Sequence, residues 1–404
     1  MERASDCSWG SALLLATSPP GGLAGASVRA EITLEALHGR FSRVDVVSMG
    51  APGDAGRVAD GTHLVPWGSP PPRSAYAAGL LTGGSPFVQI RASGLSRRVH
   101  ELRERGRISP RPDLVWCHFL LTAPAGLKVP ASARVLDADF AAAAAARRWL
   151  QESNAIGRSR LYIRLDAAAI ARRERQLCGM FDQLVVVSDS ERQRLAHIRR
   201  PTTVVPNAVA DEQFPQTASA ERAGLLFVGS LDYGANVDAV AFFVREVLPL
   251  VRSRVPTAEL TVVGRNPAQE VTVLARAPGV RLVADAPSLE PFYARARAVV
   301  APLRSGGGTR IKVLEAMVRS LAIVATPTAV DGLRLEHGVA ALVASQPAAL
   351  AEHCVTVLSD AALAQRLGAA ARSAWSRDHR PELARERLER VLDAVLTATR
   401  VGSR

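Results

Sequence analysis

The chain has 404 residues, 48% of them apolar, which excludes disorder for most of its length and exceeds what one ordinary core holds, so two domains are expected. Its formal net charge of +12 comes from 50 basic residues scattered among Ala and Leu, with only 5% aromatic residues and no alternating basic and aromatic run. That pattern excludes nucleic acid as a partner and leaves peripheral attraction to an anionic membrane as an open expectation. Cys7, Cys117, Cys178 and Cys354 are far apart without paired spacing, no window of 18 uninterrupted apolar residues occurs, and the short apolar run at residues 12–16 lacks a signal-peptide shape. Free thiols in a soluble, cytoplasmic protein are the expectation.

Along the chain, short apolar runs alternate with longer amphipathic stretches, the signature of parallel sheets covered by helices. The first half predicts strands at 12–16, 44–48, 114–118, 135–137, 184–187 and 203–205, with helices at 26–37, 87–105 and 155–178. Residues 49–86, rich in Gly and Pro, predict no element. Residues 206–223 carry Pro, Gln, Thr and Ser without periodicity and predict a linker. The second half predicts strands at 225–228, 260–263, 281–283, 298–301, 323–325 and 340–343, and residues 381–396 predict an amphipathic helix. The fold class is therefore α/β, two doubly wound parallel sheets. Boundaries are set at 1–206 and 224–378, with a linker at 207–223 and a terminal helix at 379–404 that packs back on the first domain.

The densest chemistry lies at residues 305–333. Gly306, Gly307, Gly308, Thr309 and Arg310 follow a strand and open a helix, where backbone N–H groups and the helix dipole favour an anion. A plain strand-to-helix turn is the competing reading. Only two of the basic residues are lysines, Lys128 and Lys312, so an amine at Lys312 in so arginine-biased a chain is a selected feature. Glu315 lies three residues on and shares its helix face, as a site carboxylate or as a solvated one. In the first half, a glycine turn at Gly21, Gly22 and Gly25 follows the first strand without forming Gly-x-Gly-x-x-Gly. His118 ends a strand at the rim where ligands bind in doubly wound folds, or it is a packing residue. Asp137 and Asp139 are spaced as metal ligands could be, but an acceptor contact is favoured and no metal is expected. Arg172, Arg173, Glu174 and Arg175 read as a solvated helix face.

Taken in order, Val185-Val186-Val187-Ser188, Val204-Val205-Pro206-Asn207-Ala208-Val209, Gly229-Ser230-Leu231, Asn236-Val237-Asp238, Leu260-Thr261-Val262-Val263-Gly264, Gly306 to Glu315 and Asp331-Gly332-Leu333 resemble glycosyltransferase family 4 of the GT-B superfamily. The resemblance implies two Rossmann-like domains facing a cleft, and a retaining enzyme that moves a sugar from a nucleoside diphosphate to a hydroxyl of a glycan, lipid-linked or small-molecule acceptor. It implies no cofactor. It assigns Gly22, Gly229, Gly264, Gly306, Gly307, Gly308, Thr309 and Glu315 to donor binding, Arg310 and Lys312 to the leaving diphosphate and His118 to the sugar. Two departures stand out. Gly307 occupies the place of the first Glu of the family's paired-Glu motif, and Ser230 and Asn236 stand where many members carry Arg and Lys. A sugar-nucleotide epimerase and an inactive nucleotide-binding partner are the alternatives.

Overall fold

The computed structural model describes residues 9–20, 25–50, 62–66, 86–152, 158–211, 222–307 and 310–402. The chain divides into two compact units, Met1–Asn207 with Pro381–Arg404, and Ala208–Arg380.

Seven parallel strands build the first unit: β1 (Trp9–Ala16), β2 (Phe41–Gly50), β3 (Thr62–Pro66), β4 (Leu114–His118), β5 (Ala133–Asp139), β6 (Gln183–Val186) and β7 (Thr202–Val204), in the order β3-β2-β1-β4-β5-β6-β7. Apolar residues are continuous in the central strands because both faces of a parallel sheet are covered. Residues Ala12 to Ala16 of β1 and Leu114 to Cys117 of β4 are accordingly all buried. β3 was not predicted; its Thr-His-Leu-Val-Pro sequence sits in Gly/Pro-rich surroundings, and its burial is confined to Val65.

The predicted helix at 155–178 appears as Arg158–Cys178, preceded by Ala142–Glu152, with residues 153–157 outside the description. One expectation on this helix is corrected. Glu174 is 3% exposed, not part of a solvated face, and accepts from the Ala143 amide at the start of Ala142–Glu152. Burial raises its pKa to about 7. The terminal helix Pro381–Gly402 runs beyond the predicted 396 and belongs to this unit. Its Leu388, Val391, Leu392, Val395 and Leu396 are buried, Arg40 donates twice to Asp393, and Arg400 lies 4.5 Å over the Trp9 ring.

Six parallel strands build the second unit: β8 (Leu225–Val228), β9 (Leu260–Gly264), β10 (Val280–Ala284), β11 (Ala298–Ala301), β12 (Ala322–Ala325) and β13 (Leu342–Val343), in the order β10-β9-β8-β11-β12-β13. Strand order reverses direction between β8 and β11, as it does between β1 and β4 in the first unit. Segments leaving the carboxyl ends of those paired strands diverge to opposite faces of the sheet and open a crevice for ligands. The expected α/β architecture of two doubly wound parallel sheets holds.

Candidate donor-binding and buried-ion sites

In the second unit, the switch point brings two predicted segments together. Gly229 and Ser230 leave β8, while Pro302 to Gly307 leave its neighbour β11, and Arg310 precedes the helix Ile311–Val318. Gly308 and Thr309 lie outside the described residues. Gly306 adopts a φ of 108°, a conformation that L side chains rarely adopt. Arg310 folds back to donate to the Gly307 carbonyl, so a guanidinium covers the backbone where the family's first Glu would stand.

Lys312 projects from the first turn of that helix. Its Nζ donates to Asn236 Oδ1 at 2.6 Å and sits 4.5 Å over the Phe227 ring. Asn236 in turn donates from Nδ2 to the Ser230 carbonyl at 2.8 Å. Burial and the neighbouring Arg310 charge pull the Lys312 pKa down to about 7, with Glu315 acting in the opposite sense. Gly229 leaves room for this arrangement: a Cβ there would stand 2.7 Å from Asn236 Nδ2 and 3.1 Å from Lys312 Nζ. Gly264, at the end of β9, has a packing reason of its own, since a Cβ would run into the Gly229 carbonyl oxygen.

Glu315 is 8% exposed, so it is no solvated helix carboxylate. Tyr293 donates its hydroxyl to Glu315 Oε2 at 2.5 Å. Arg319 lies 4.0 Å over the Tyr293 ring and donates to Glu290 and to the Glu315 carbonyl. Burial raises the Glu315 pKa. Asp238 receives two hydrogen bonds from Arg304, fastening the exit of β11 to the helix Gly234–Phe242. Tyr293, Arg319 and Arg304 were not singled out in the sequence; each reaches its partner over a separation that no local motif reveals.

In the first unit, Gly22 lies outside the described residues. His118, Asp137 and Asp139 come together in a buried ion cluster whose cation, Arg29, the sequence reading missed. Arg29 donates to both Asp137 oxygens at 2.7 Å, to Asn207 Oδ1 at 2.7 Å and to the Val205 carbonyl at 3.0 Å. Asn207 donates to Asp139 Oδ1. Asp137 and His118 are each 1% exposed. Asp137 therefore holds Arg29 while Asp139 is held by Asn207, and the burial of both carboxylates does not fit the expected acceptor contact. Burial raises the Asp139 pKa to about 6. Among the described residues no group of three or more His, Cys, Asp or Glu could hold a metal ion.

The proton on His118 follows from its neighbours. Thr33 spends its hydroxyl hydrogen on the Arg29 carbonyl at 2.9 Å, so its oxygen accepts from His118 Nε2 at 3.1 Å. Asp137 Oδ2 lies 3.6 Å from the same nitrogen. His118 is thus assigned as the Nε2–H tautomer, with burial and Arg29 bringing its pKa down to about 4. Near neutral pH the ring is neutral, with Nε2–H given to Thr33 and Nδ1 buried without a hydrogen-bond partner among the described residues.

Comparison with known proteins bears on the fold and on residues 222–360. Residues 222–360 match the family model described as glycosyl transferases group 1. No curated protein matches the sequence. Among solved structures, a sucrose-phosphate synthase from Thermosynechococcus elongatus is 16% identical with a TM-score of 0.68, covering 96% of this chain and 100% of its own. Anabaena Alr3699/HepE in complex with UDP-glucose is 13% identical with a TM-score of 0.64, covering 95% and 99%. A glycosyltransferase from Rickettsia africae is 11% identical with a TM-score of 0.60, covering 96% and 99%. At such identities these neighbours show the fold alone, which is GT-B, and the family model speaks for residues 222–360. Residues 222–360, with the Gly306–Glu315 segment and Lys312 inside them, are thus similar to the group 1 glycosyl transferases.

Proposed function

We propose that the chain is a retaining, family 4 glycosyltransferase that moves a sugar from a nucleoside-diphosphate donor to a hydroxyl acceptor in the cytoplasm. The observation that carries this reading is the Lys312 amine, held by Asn236 beside Gly229 at the switch point of a Rossmann-like sheet. As the bond from the anomeric carbon to the β-phosphate oxygen breaks, charge collects on the leaving diphosphate. Lys312, Arg310 and the backbone of the Gly306 loop are the groups to neutralise it, which asks for no metal. Glu315, steadied by Tyr293, is the candidate partner for the donor's ribose hydroxyls. UDP-glucose is the first donor to try, because the HepE structure contains it. The acceptor is a glycan, a lipid-linked sugar or a small aglycone, with peripheral membrane association in the lipid-linked case.

The test is slow hydrolysis of UDP-glucose by the purified protein, with proton NMR reading the first anomer of glucose released. The α anomer is expected, and the β anomer would mean inversion. Because Gly307 replaces a Glu of the family pattern, an inactive nucleotide-binding partner is the second reading. It predicts bound nucleotide with no sugar released from any donor.

A further inference from the structure

The Asn236 amide has one orientation that satisfies its neighbours. Nδ2 must face the Ser230 carbonyl, an acceptor, so Oδ1 is committed to Lys312 Nζ. Asn236 itself is 7% exposed and opens the helix Gly234–Phe242, where its own amide donates to the Tyr233 carbonyl. The amine is therefore located by a rigid element, the start of a helix, and by the Phe227 ring on β8 beneath it.

The groups around the amine do not cancel its charge. Asn236 and Phe227 are neutral, and Arg310 is a second cation on the same segment. Among the described residues, the carboxylate acting on it, Glu315, is held by the Tyr293 hydroxyl and flanked by Arg319. A carboxylate at position 236 would have paired with the ammonium and consumed its charge, whereas an amide positions it without doing so.

We infer that Asn236 is the positioning residue for the Lys312 amine, and that holding it through a neutral amide leaves the ammonium charge uncompensated for a phosphate group at the end of β8. This rests on the donor-site reading above for the identity of the anion; the positioning itself stands on the geometry. Anion binding should favour the protonated amine, so binding takes up a proton above pH 7 and weakens as pH rises, by up to about tenfold per pH unit.

The chain's two lysines make the test direct. Full-length protein labelled with ε-13C lysine should give two signals, assigned with Lys128→Arg. Lys128 is exposed and serves as the internal reference. In the native protein the Lys312 signal should titrate near 7, far below the ordinary 10.5, and UDP should shift its midpoint upward. Asn236→Asp should raise the midpoint by roughly 2 units or more and cost about tenfold or more in UDP affinity by calorimetry, with the pH dependence lost. Asn236→Ala should keep the charge and lose less. If either variant fails to fold by circular dichroism, the native titration and its response to UDP still decide. A Lys312 midpoint near 10.5, or an Asn236→Asp protein that binds UDP as the native one does, overturns the inference. A low midpoint with no binding of UDP, GDP, TDP or ADP instead overturns the donor-site reading and the phosphate half with it, while the positioning stands.

Discussion

At the residue scale, what decides the candidate site is the space around a few atoms. Gly229→Ala would drive a methyl group against Asn236 and Lys312 Nζ, so UDP affinity should fall about tenfold, near 1.4 kcal/mol, with an otherwise native far-ultraviolet spectrum. Unchanged affinity would show that the amine can yield without consequence. Tyr293→Phe removes the donor to a buried carboxyl and should cost about 1–3 kcal/mol, read as a lower urea midpoint. Lys312 was legible in the sequence because the chain holds just one other lysine and because the amine follows a glycine loop. Its partner Asn236 was legible only as a departure from a family pattern, since the contact spans 76 residues. His118 was legible as a rim residue, but its tautomer depends on Thr33, Arg29 and Asp137, which share no spacing a sequence displays.

At the element scale, the buried Arg29–Asp137 pair ties the helix Gly25–His38 to β5, and Arg29 also holds Val205 and Asn207 where the chain leaves β7. Replacing Arg29 with Met leaves Asp137 buried with no cation, at a cost of about 3–5 kcal/mol, and Asp137→Leu in the same protein should restore much of it. Urea unfolding of the two proteins checks this; a double variant as unstable as the single one would mean that the pair's hydrogen bonds, not its charge, hold the elements. Strands were the readable elements because parallel strands covered on both faces are nearly pure apolar runs: Leu225-Leu226-Phe227-Val228 and Ala298-Val299-Val300-Ala301 could scarcely be read otherwise. β3 escaped because an edge strand with one buried residue carries no such run. Glu174 misled because its place among arginines suggests a wet face, while its carboxylate serves the start of a neighbouring helix.

At the scale of the whole molecule, the chain crosses from one unit to the other at Asn207 and returns at Pro381. Residues 208–380 contain an entire six-stranded sheet together with Lys312, Asn236, Glu315 and Tyr293. Produced alone, this segment should melt cooperatively by circular dichroism and keep the low Lys312 midpoint; a molten segment would show that its core is not self-sufficient. A chain ending at residue 380 should instead lose stability in the first unit, because the buried apolar face of Pro381–Gly402 is removed from it.

The central claim is that Lys312 serves a nucleoside diphosphate. Calorimetry with UDP, GDP, TDP and ADP, on the native protein and on Lys312→Ala, tests it most directly. The account predicts that one diphosphate, UDP first among them, binds the native protein and loses at least about tenfold in affinity with Lys312→Ala. Binding of none of the four, or equal binding by both proteins, would contradict it.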